Sequence, residues 1–307
     1  MIKLKELLVR LIEKNRSTAN KGQVADYIPA LKKADPRDLG ICILDMSGNI
    51  CSGGDYNKKF TMQSISKVIA LILALMDNGE SIFNKVDMKA TDEPFNSLYK
   101  LDLPHGVKPA NPMINAGAIV TTSLIKGNGE EKFNRLLELL KKITSNKSLK
   151  YNDEVFQSEK TTADKNRAIA YLLKNKGLIE EDVEEILDVY FKQCSIEVDC
   201  ADLAKIGTFL ANKGRILETN EKIVDEKIIN YALAIMTTCG MYDYSGEYLA
   251  HVGIPSKSGV SGGILAVVPN QFGIGVYGPA LDEYGNSVAG MELLKDLSNQ
   301  LNLSLFS

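Results

Sequence analysis

A serine and a lysine stand three positions apart in the segment Ser64-Ile65-Ser66-Lys67. On a helix, residues at i and i+3 face the same side, so this spacing predicts the Ser64 hydroxyl beside the Lys67 amine. A serine hydroxyl attacks a carbonyl group only when a neighbouring base takes its proton. Lysine can act as that base when burial or a second cation lowers its pKa. The pair therefore indicates acyl transfer through a covalent ester on Ser64.

The same spacing occurs again at Ser97–Lys100 and Ser123–Lys126, so only the context can single out the first pair. The residues after Lys67 are apolar, which predicts a desolvated amine. Far downstream comes Lys257-Ser258-Gly259, a form of the Lys-Thr-Gly motif that accompanies Ser-x-x-Lys in penicillin-recognising enzymes. Their third motif, Ser-Asp-Asn, is missing, and Tyr242-Asp243-Tyr244 is the nearest candidate for its place. Two unrelated short matches are the alternative explanation.

Strand patterns near both ends of the chain enclose a long helical stretch. Ile41 to Met46 and Ile50 to Ser52 have the apolar, β-branched pattern of a hairpin around a Ser-Gly-Asn turn. Residues 261–279 predict two further strands, joined by Pro269-Asn270-Gln271. Apolar residues at helical spacing predict helices over residues 2–15, 60–79, 130–143, 163–174, 180–192, 200–212, 225–237 and 286–301, so the middle of the chain is expected to be almost wholly helical.

These elements and motifs predict an α/β fold of the serine β-lactamase and penicillin-binding type, with an antiparallel sheet, flanking helices and an inserted all-helical lobe. Residues 1–60 and 238–307 are expected to form a discontinuous sheet lobe on which the terminal helices pack. Residues 61–237 are expected to form the helical lobe that carries the Ser-x-x-Lys helix. A site between the lobes follows, because pockets are common at such boundaries.

The composition argues against several classes of function. The 307 residues carry a net charge of −3 with no basic stripe, so a nucleic-acid partner is not expected. The chain shows no bilayer-spanning apolar run and no signal-peptide pattern, so we expect a cytoplasmic protein. Five cysteines without a C-x-x-C motif predict reduced core thiols, and only two histidines, His105 and His251, argue against a metal site. No cofactor is predicted.

Seven longer blocks run in order from about residue 23 to near the C-terminus. They are VADYIPALKK, FTMQSISK, KPANPMINAGAI, VFQSEKTTADKNRAIAYLL, YFKQCSIEV, TTCGMYDYSGEYLAHVGIPSKSGVSGGILAVVPN and GNSVAGMELLKDL. Together they resemble the glutaminase family that shares the serine β-lactamase fold, and each block is more specific than a short motif. The resemblance implies an amidohydrolase that converts L-glutamine to L-glutamate and ammonia, assembled as a homodimer or homotetramer.

The resemblance also implies a role for each matching position. Ser64 would be the nucleophile, Lys67 its base, and Tyr242 a group near the nucleophile that helps to pass the proton. The backbone N–H groups of Ser64 and Val260 would form the oxyanion hole, and the small residues Ser261-Gly262-Gly263 fit the close backbone approach that this requires. Ser64, Tyr242 and Val260 would also contact the substrate. The amino-acid end of glutamine would be bound by Tyr27, Asn115, Glu159, Asn166 and Tyr190.

Ordinary structural roles compete with these last assignments. Taken alone, Glu159 is a helix-start acid that complements the dipole, and Asn115 is a plain N-cap. Tyr27 and Tyr190 could be half-buried core aromatics. On the functional side, Glu159 and Asn166 bracket a predicted helix start, where a carboxylate can hold an ammonium group and amides can hold a carboxylate.

Three other functions stay open at this level. Another enzyme of the same fold, such as a β-lactamase, transpeptidase or esterase, is disfavoured by the missing Ser-Asp-Asn and the missing signal-peptide pattern. A non-catalytic amino-acid sensor would keep the pocket, but the presence of Ser64, Lys67 and Tyr242 argues against it. Metal-dependent hydrolysis is the weakest alternative, for lack of ligands.

Overall fold

The computed structural model describes residues 2–91, 96–97 and 108–307, so Lys100 and His105 lie outside the described residues. The strands are β1 (Gly40–Asp45), β2 (Ile50–Gly54), β3 (Phe60–Thr61), β4 (Glu197–Val198), β5 (Ser256–Ser258), β6 (Gly263–Val268) and β7 (Phe272–Tyr277). Five of them form an antiparallel sheet in the order β2-β1-β7-β6-β5. The other two, β3 and β4, form a small antiparallel pair.

Helices make up most of the remaining described chain. They are α1 (Ile2–Arg16), α2 (Ser66–Asn78), α3 (Asn115–Ser123), α4 (Gly129–Thr144), α5 (Asp153–Thr161), α6 (Asp164–Asn175), α7 (Val183–Cys194), α8 (Cys200–Ala211), α9 (Glu226–Cys239), α10 (Ser245–His251) and α11 (Val288–Leu301). The α/β class with an antiparallel sheet is therefore confirmed, as are the hairpin, the second strand pair and the predicted helices, except that the helix predicted from residue 60 begins only at Ser66, after β3 and a 3-10 turn. The middle segment is less purely helical than expected, because β4 pairs there with β3, and two-residue strands leave no periodic pattern.

The two faces of the large sheet are covered by different helices. As expected, the terminal helices α1 and α11 pack on one face, where Leu8 and Leu293 share a core with Ile41 and Ile264. The other face is covered by α8, which comes from the middle segment. Part of the stretch predicted as a separate helical lobe therefore packs on the sheet, and the division into two lobes stays a prediction.

Helix α2 lies in the centre of the molecule and packs against α3 and α9. Its sequence is apolar all round, and every residue from Ser66 to Leu75 is buried, as expected for a helix without a polar face. A single 3-10 turn, Gln63–Ile65, leads into it. This arrangement places Ser64 at the N-terminal end of a buried helix, where the turn also meets β5 of the sheet. All five cysteines are free and buried, which confirms the prediction of core thiols.

Gly207→Ala is expected to lower the free energy of unfolding by about 1–3 kcal/mol, because the added methyl group would enter a contact between backbones. A Cβ at Gly207 in α8 would lie 2.7 Å from the Cα of Gly273 in β7. Gly246→Ala in α10 is the matched control, since a Cβ there meets nothing within 4 Å. Alanine should stabilise that helix by up to about 1 kcal/mol. Urea unfolding measures both changes, and equal stability of the two variants would contradict the close packing of α8 on β7.

Candidate active site

A cavity of about 110 Å³ lies at the N-terminal end of α2, between the helices and the edge of the sheet that ends with β5. The structure brings seven of the nine predicted site residues to its wall: Tyr27, Ser64, Asn115, Glu159, Asn166, Tyr190 and Val260. The other two adjoin this wall, because Lys67 is hydrogen-bonded to Asn115 and Tyr242 packs with Val260. All nine predicted residues therefore belong to one site.

The turn that carries Ser64 is fastened to the loop that carries Val260. Ser261 Oγ donates a hydrogen bond to the carbonyl oxygen of Thr61 at 2.6 Å. On the other side of Val260, a Cβ at Gly259 would lie only 2.6 Å from the carbonyl oxygen of Met62, so no larger residue fits. These contacts hold the backbone around Ser64 close to the backbone around Val260. Such proximity is required if the N–H groups of both residues are to bind the same oxyanion.

Lys67 is buried with only 1% of its surface exposed. Its Nζ donates to the carbonyl oxygen of Met113 at 3.0 Å and to Asn115 Oδ1 at 2.7 Å. Burial lowers the pKa of Lys67 to about 8, against the opposing effects of Cys194 and Glu159. A neutral amine is therefore accessible near neutral pH, which is the state that a general base needs.

Asn115 connects the buried amine with the polar wall of the cavity. Its Oδ1 accepts from Lys67 Nζ and from the Tyr190 hydroxyl at 3.2 Å, while its Nδ2 donates to Asn166 Oδ1 at 2.9 Å. The N-cap interpretation of Asn115 is wrong, because Asn115 is the first residue inside α3 and Ile114 occupies the cap position without a side-chain bond. Its amide serves the site instead of the helix end.

Glu159 is a buried carboxyl group on the cavity wall. It lies in the last turn of α5, so the helix-start interpretation is also wrong, and the dipole there disfavours its negative charge. Its Oε2 is buried and has no hydrogen-bond partner among the described residues. Burial raises the pKa of Glu159 to about 8, while Lys67 and a hydrogen bond from Gln63 lower it. A bound ammonium group would supply both the missing hydrogen bond and the missing charge partner.

Tyr27 and Tyr190, the two tyrosines predicted to bind the amino-acid end of glutamine, differ in their surroundings. Tyr190 is buried in α7 and its hydroxyl reaches Asn115, so it is a core aromatic with a polar tip in the site. Tyr27 is 54% exposed and lies at the cavity wall, which excludes a core role. Asn166 lies in the first turn of α6, close to the predicted helix start. The cavity thus has one solvent-facing aromatic side and one buried polar side.

Tyr242 and Lys257 lie together beside the Val260 loop. Tyr242 has a left-handed backbone with φ of 54°, and its hydroxyl donates to the carbonyl oxygen of Ser258 at 3.2 Å. A hydrogen bond with Ser64 also affects the pKa of Tyr242, although burial has the larger effect and raises it. Burial lowers the pKa of Lys257, and the positive charge of Lys67 lowers it further, so the two lysines lie close enough to interact.

Sequence reasoning did not assign Gln63 or Cys194 to the site, yet both line the cavity. Gln63 has a left-handed backbone with φ of 47°, directly before Ser64. Its position next to Ser64 was the available signal, but the left-handed conformation of a non-glycine residue cannot be read from the sequence. Within the described ranges, no group of three metal-ligating side chains comes together, and no helix has the length and apolar character needed to span a bilayer.

Comparisons with known proteins agree over nearly the whole chain. A family model described as Glutaminase matches residues 22–306. The glutaminase of Clostridium tetani is 56% identical over 298 residues, which cover 96% of this chain and 97% of that protein. The solved structure of a probable glutaminase from Bacillus subtilis, complexed with 6-diazo-5-oxo-L-norleucine, matches with a TM-score of 0.91 and 43% sequence identity. The match covers 98% of this chain and 97% of that chain.

A second solved structure from Bacillus subtilis contains a covalent adduct. It is described as the covalent complex of a glutaminase with 5-oxo-L-norleucine, formed by reaction of that protein with 6-diazo-5-oxo-L-norleucine. It is 42% identical to this chain with a TM-score of 0.89, and the match covers 98% of this chain and 99% of that one. That protein therefore carries a group that forms a covalent bond with this reagent.

Glu159→Gln is expected to raise the melting temperature of the ligand-free protein, and to raise it more as the pH increases from about 5 to about 8. The pKa of Glu159 rises from 4.5 to about 8 on folding, so across that interval the unfolded chain releases this proton while the folded protein keeps it, and the parent loses stability as the pH rises. Glutamine carries no such charge. Glu154→Gln, on the exposed face of the same helix, is the control and should show no comparable trend. A parent protein more stable than Glu159→Gln at about pH 8 would contradict this account of the buried carboxyl group.

Proposed function

This chain belongs to the glutaminase family, and we propose that it hydrolyses the side-chain amide of L-glutamine through an ester on Ser64, with L-glutamate and ammonia as products. The observation that carries this proposal is one cavity wall with Ser64 at the end of α2, the buried amine of Lys67 behind it, and the unpartnered carboxyl oxygen of Glu159. The covalent adduct of the Bacillus subtilis glutaminase supports a nucleophilic side chain in the family.

The first step transfers the glutamyl group to the enzyme. Neutral Lys67 accepts the Ser64 proton as the serine oxygen bonds to the side-chain carbonyl carbon of glutamine. The negative charge that develops on the carbonyl oxygen is stabilised by the N–H groups of Ser64 and Val260. Tyr242 helps to pass the proton from Lys67 to the amide nitrogen, the C–N bond breaks, and ammonia leaves.

The second step returns the enzyme to its starting state. A water molecule attacks the ester carbon and gives its proton to Lys67, and the Ser64 oxygen leaves and recovers a proton. Throughout both steps the amino-acid end stays bound, with its ammonium group on Glu159. Its carboxylate is held among the amide and hydroxyl groups of Tyr27, Asn115, Asn166 and Tyr190. These four residues and Glu159 form the clamp for the amino-acid end.

We further propose the finer assignments of fold and assembly that accompany this mechanism. The fold is that of serine β-lactamases, supported by an antiparallel sheet whose β5 carries Lys257-Ser258 and by the buried Ser-x-x-Lys helix. Residues 1–60 and 238–307 form the sheet lobe, and residues 61–237 form the helical lobe. The protein works in the cytoplasm as a homodimer or homotetramer, without a nucleic-acid or membrane partner.

Ser64→Ala is expected to reduce turnover of L-glutamine to background, because it removes the hydroxyl on which the proposed ester forms. Ser66→Ala is the matched control: Ser66 is also buried, and its hydroxyl donates to the carbonyl oxygen of Gln63 at 2.8 Å. That variant should keep most of the activity. Ammonia release by both purified variants, with circular dichroism to verify folding, tests the assignment. A folded Ser64→Ala protein with substantial activity would disprove the ester mechanism.

We expect kcat for L-glutamine to rise with pH through about 8, because the neutral form of Lys67 is the active base and its pKa lies near this value. Below the pKa, kcat should fall about tenfold per pH unit, as for any single required base. Glu159 ionises in the same range, and bound substrate fixes its charge, so kcat is the parameter that isolates Lys67.

Lys67→Arg tests the same assignment without relying on a pH profile. Arginine keeps the positive charge but cannot give up its proton, so kcat should fall by at least about a hundredfold. Lys132→Arg, at a buried lysine in α4 with its own carboxylate partner Glu181, reports what the extra volume alone does to the protein. If Lys67→Arg kept most of the activity, another group would have to be the base, and Tyr242 would be the first suspect.

L-Glutamine should be strongly preferred over L-asparagine. The clamp around Glu159 and the acylation site at Ser64 fix the distance between the ammonium group and the reacting carbonyl, and asparagine is one methylene too short to reach both. A missing methylene contact costs only about 1–3 kcal/mol, but misplacement of the reacting carbon by about 1 Å costs roughly a hundredfold in rate. The loss should therefore appear in kcat as well as in KM.

D-Glutamine is the control for the clamp, because its ammonium and carboxylate groups cannot both meet their partners. We expect it to fail as well. A comparison of kcat/KM for L-glutamine, L-asparagine and D-glutamine is the measurement. Equal turnover of L-asparagine would mean that the clamp residues are misassigned, even if Ser64 is the nucleophile.

A further inference from the structure

Lys257 is a completely buried lysine that the proposed reaction does not use. Its Nζ donates to the carbonyl oxygens of Gly240 at 3.0 Å and of Ser258 at 2.7 Å. The same nitrogen lies 4.3 Å from the centroid of the Tyr242 ring, well inside the range of a cation–π contact. Among the described residues no carboxylate forms an ion pair with it. The groups that contact its Nζ are two carbonyl oxygens and one aromatic ring.

Stability does not account for a lysine at this position. A buried charge is costly without an opposite charge, and apolar residues of similar volume often replace buried ions without loss of stability. Burial and the nearby charge of Lys67 lower the pKa of Lys257 well below its usual value, which reflects that cost. Lys132, the comparable buried lysine in α4, differs because it has the carboxylate of Glu181 at 2.8 Å.

Tyr242 is the neighbour that needs support. A tyrosine with φ of 54° is an outlier that persists only when surrounding contacts hold it. Lys257 makes three contacts around Tyr242. They are with the aromatic ring, with the carbonyl oxygen of Gly240 two residues upstream, and with the carbonyl oxygen of Ser258. That last oxygen also accepts from the Tyr242 hydroxyl. The lysine therefore contacts the Tyr242 ring, the backbone just before it and the acceptor of its hydroxyl.

We propose that Lys257 is a positioning residue for the hydrolysis of glutamine: its ammonium group holds the ring and backbone of Tyr242 so that the phenolic hydroxyl stays in line with Ser64. The inference rests on the proposed function, since it requires that the Tyr242 hydroxyl takes part in proton transfer. Lys257 itself does not touch the substrate. Its removal should leave substrate binding almost unchanged and slow the chemical step.

Lys257→Met removes the charge and keeps the length of the side chain. We expect kcat to fall roughly ten- to a hundredfold, the effect of a small misplacement of a catalytic group, with KM changed by no more than about threefold. Lys132→Met is the matched control, since it removes an equally buried ammonium that does not line the cavity. It should lower the melting temperature by breaking the pair with Glu181, while the kcat of the folded protein stays at the parental value.

A double-mutant cycle with Tyr242→Phe tests whether Lys257 acts through the hydroxyl. The phenylalanine ring preserves the cation–π contact and removes only the hydroxyl. Lys257→Met should then cost much less in the Tyr242→Phe background than in the parent, because the group it positions is gone. Lys257→Gln, which keeps an N–H donor but no charge, is the second variant if methionine prevents folding, and the same pattern is expected for it.

The outcomes separate this inference from the proposed function. Loss of kcat in Lys257→Met that vanishes in the Tyr242→Phe background supports the inference. An equal loss in both backgrounds overturns it, because Lys257 would then act independently of the hydroxyl. Parental kcat in Lys257→Met also overturns it, while a defective Tyr242→Phe would leave the proposed role of Tyr242 standing. Full activity of Tyr242→Phe would overturn that role and this inference together.

Discussion

The site depends on keeping the amine of Lys67 out of water without giving it a carboxylate partner. Its nitrogen is held by a backbone carbonyl and by the amide oxygen of Asn115, both of which accept hydrogen bonds from an amine in either protonation state. A carboxylate at hydrogen-bond distance would instead stabilise the ammonium form and raise the pKa. Burial brings the pKa of Lys67 to about 8, although Cys194 and Glu159 act in the opposite direction. This environment of Lys67 requires the apolar helix α2 and the polar N-terminal end of α3 to lie in contact.

The rest of the fold holds two strained backbone positions beside this buried amine. Two non-glycine residues with left-handed backbones, Gln63 and Tyr242, lie next to the site, and each such conformation costs on the order of 1–3 kcal/mol. The surrounding contacts are dense enough to enforce them. Ser245 Oγ bonds both the Met241 N–H and the Tyr242 carbonyl oxygen, and Asn286 donates to the Met241 carbonyl oxygen. The sheet, whose faces are both covered by helices, provides the rigid support for these loops.

The sequence was sufficient for elements with a strong period and insufficient for contacts between distant segments. The apolar helix α2 and the hairpin β1–β2 follow directly from hydrophobic pattern and turn chemistry. The pairing of β3 with β4 joins residues 60–61 to residues 197–198, and nothing local in either dipeptide announces a strand. For the site, the spacing of Ser64 and Lys67 and the longer family blocks pointed to nine residues that the structure brings together around one cavity. Local reasoning alone assigned Asn115 and Glu159 ordinary helix-end roles, because their partners come from other elements.

The central claim, that Ser64 is the nucleophile of this cavity, is tested most directly by the site of covalent modification. The purified protein is treated with 6-diazo-5-oxo-L-norleucine, the reagent that forms a covalent complex with the Bacillus subtilis relative, and analysed by intact-protein mass spectrometry and peptide mapping. The account predicts a single adduct per chain, located on Ser64. An adduct on another residue of the cavity, such as Cys194, with Ser64 unmodified would contradict it.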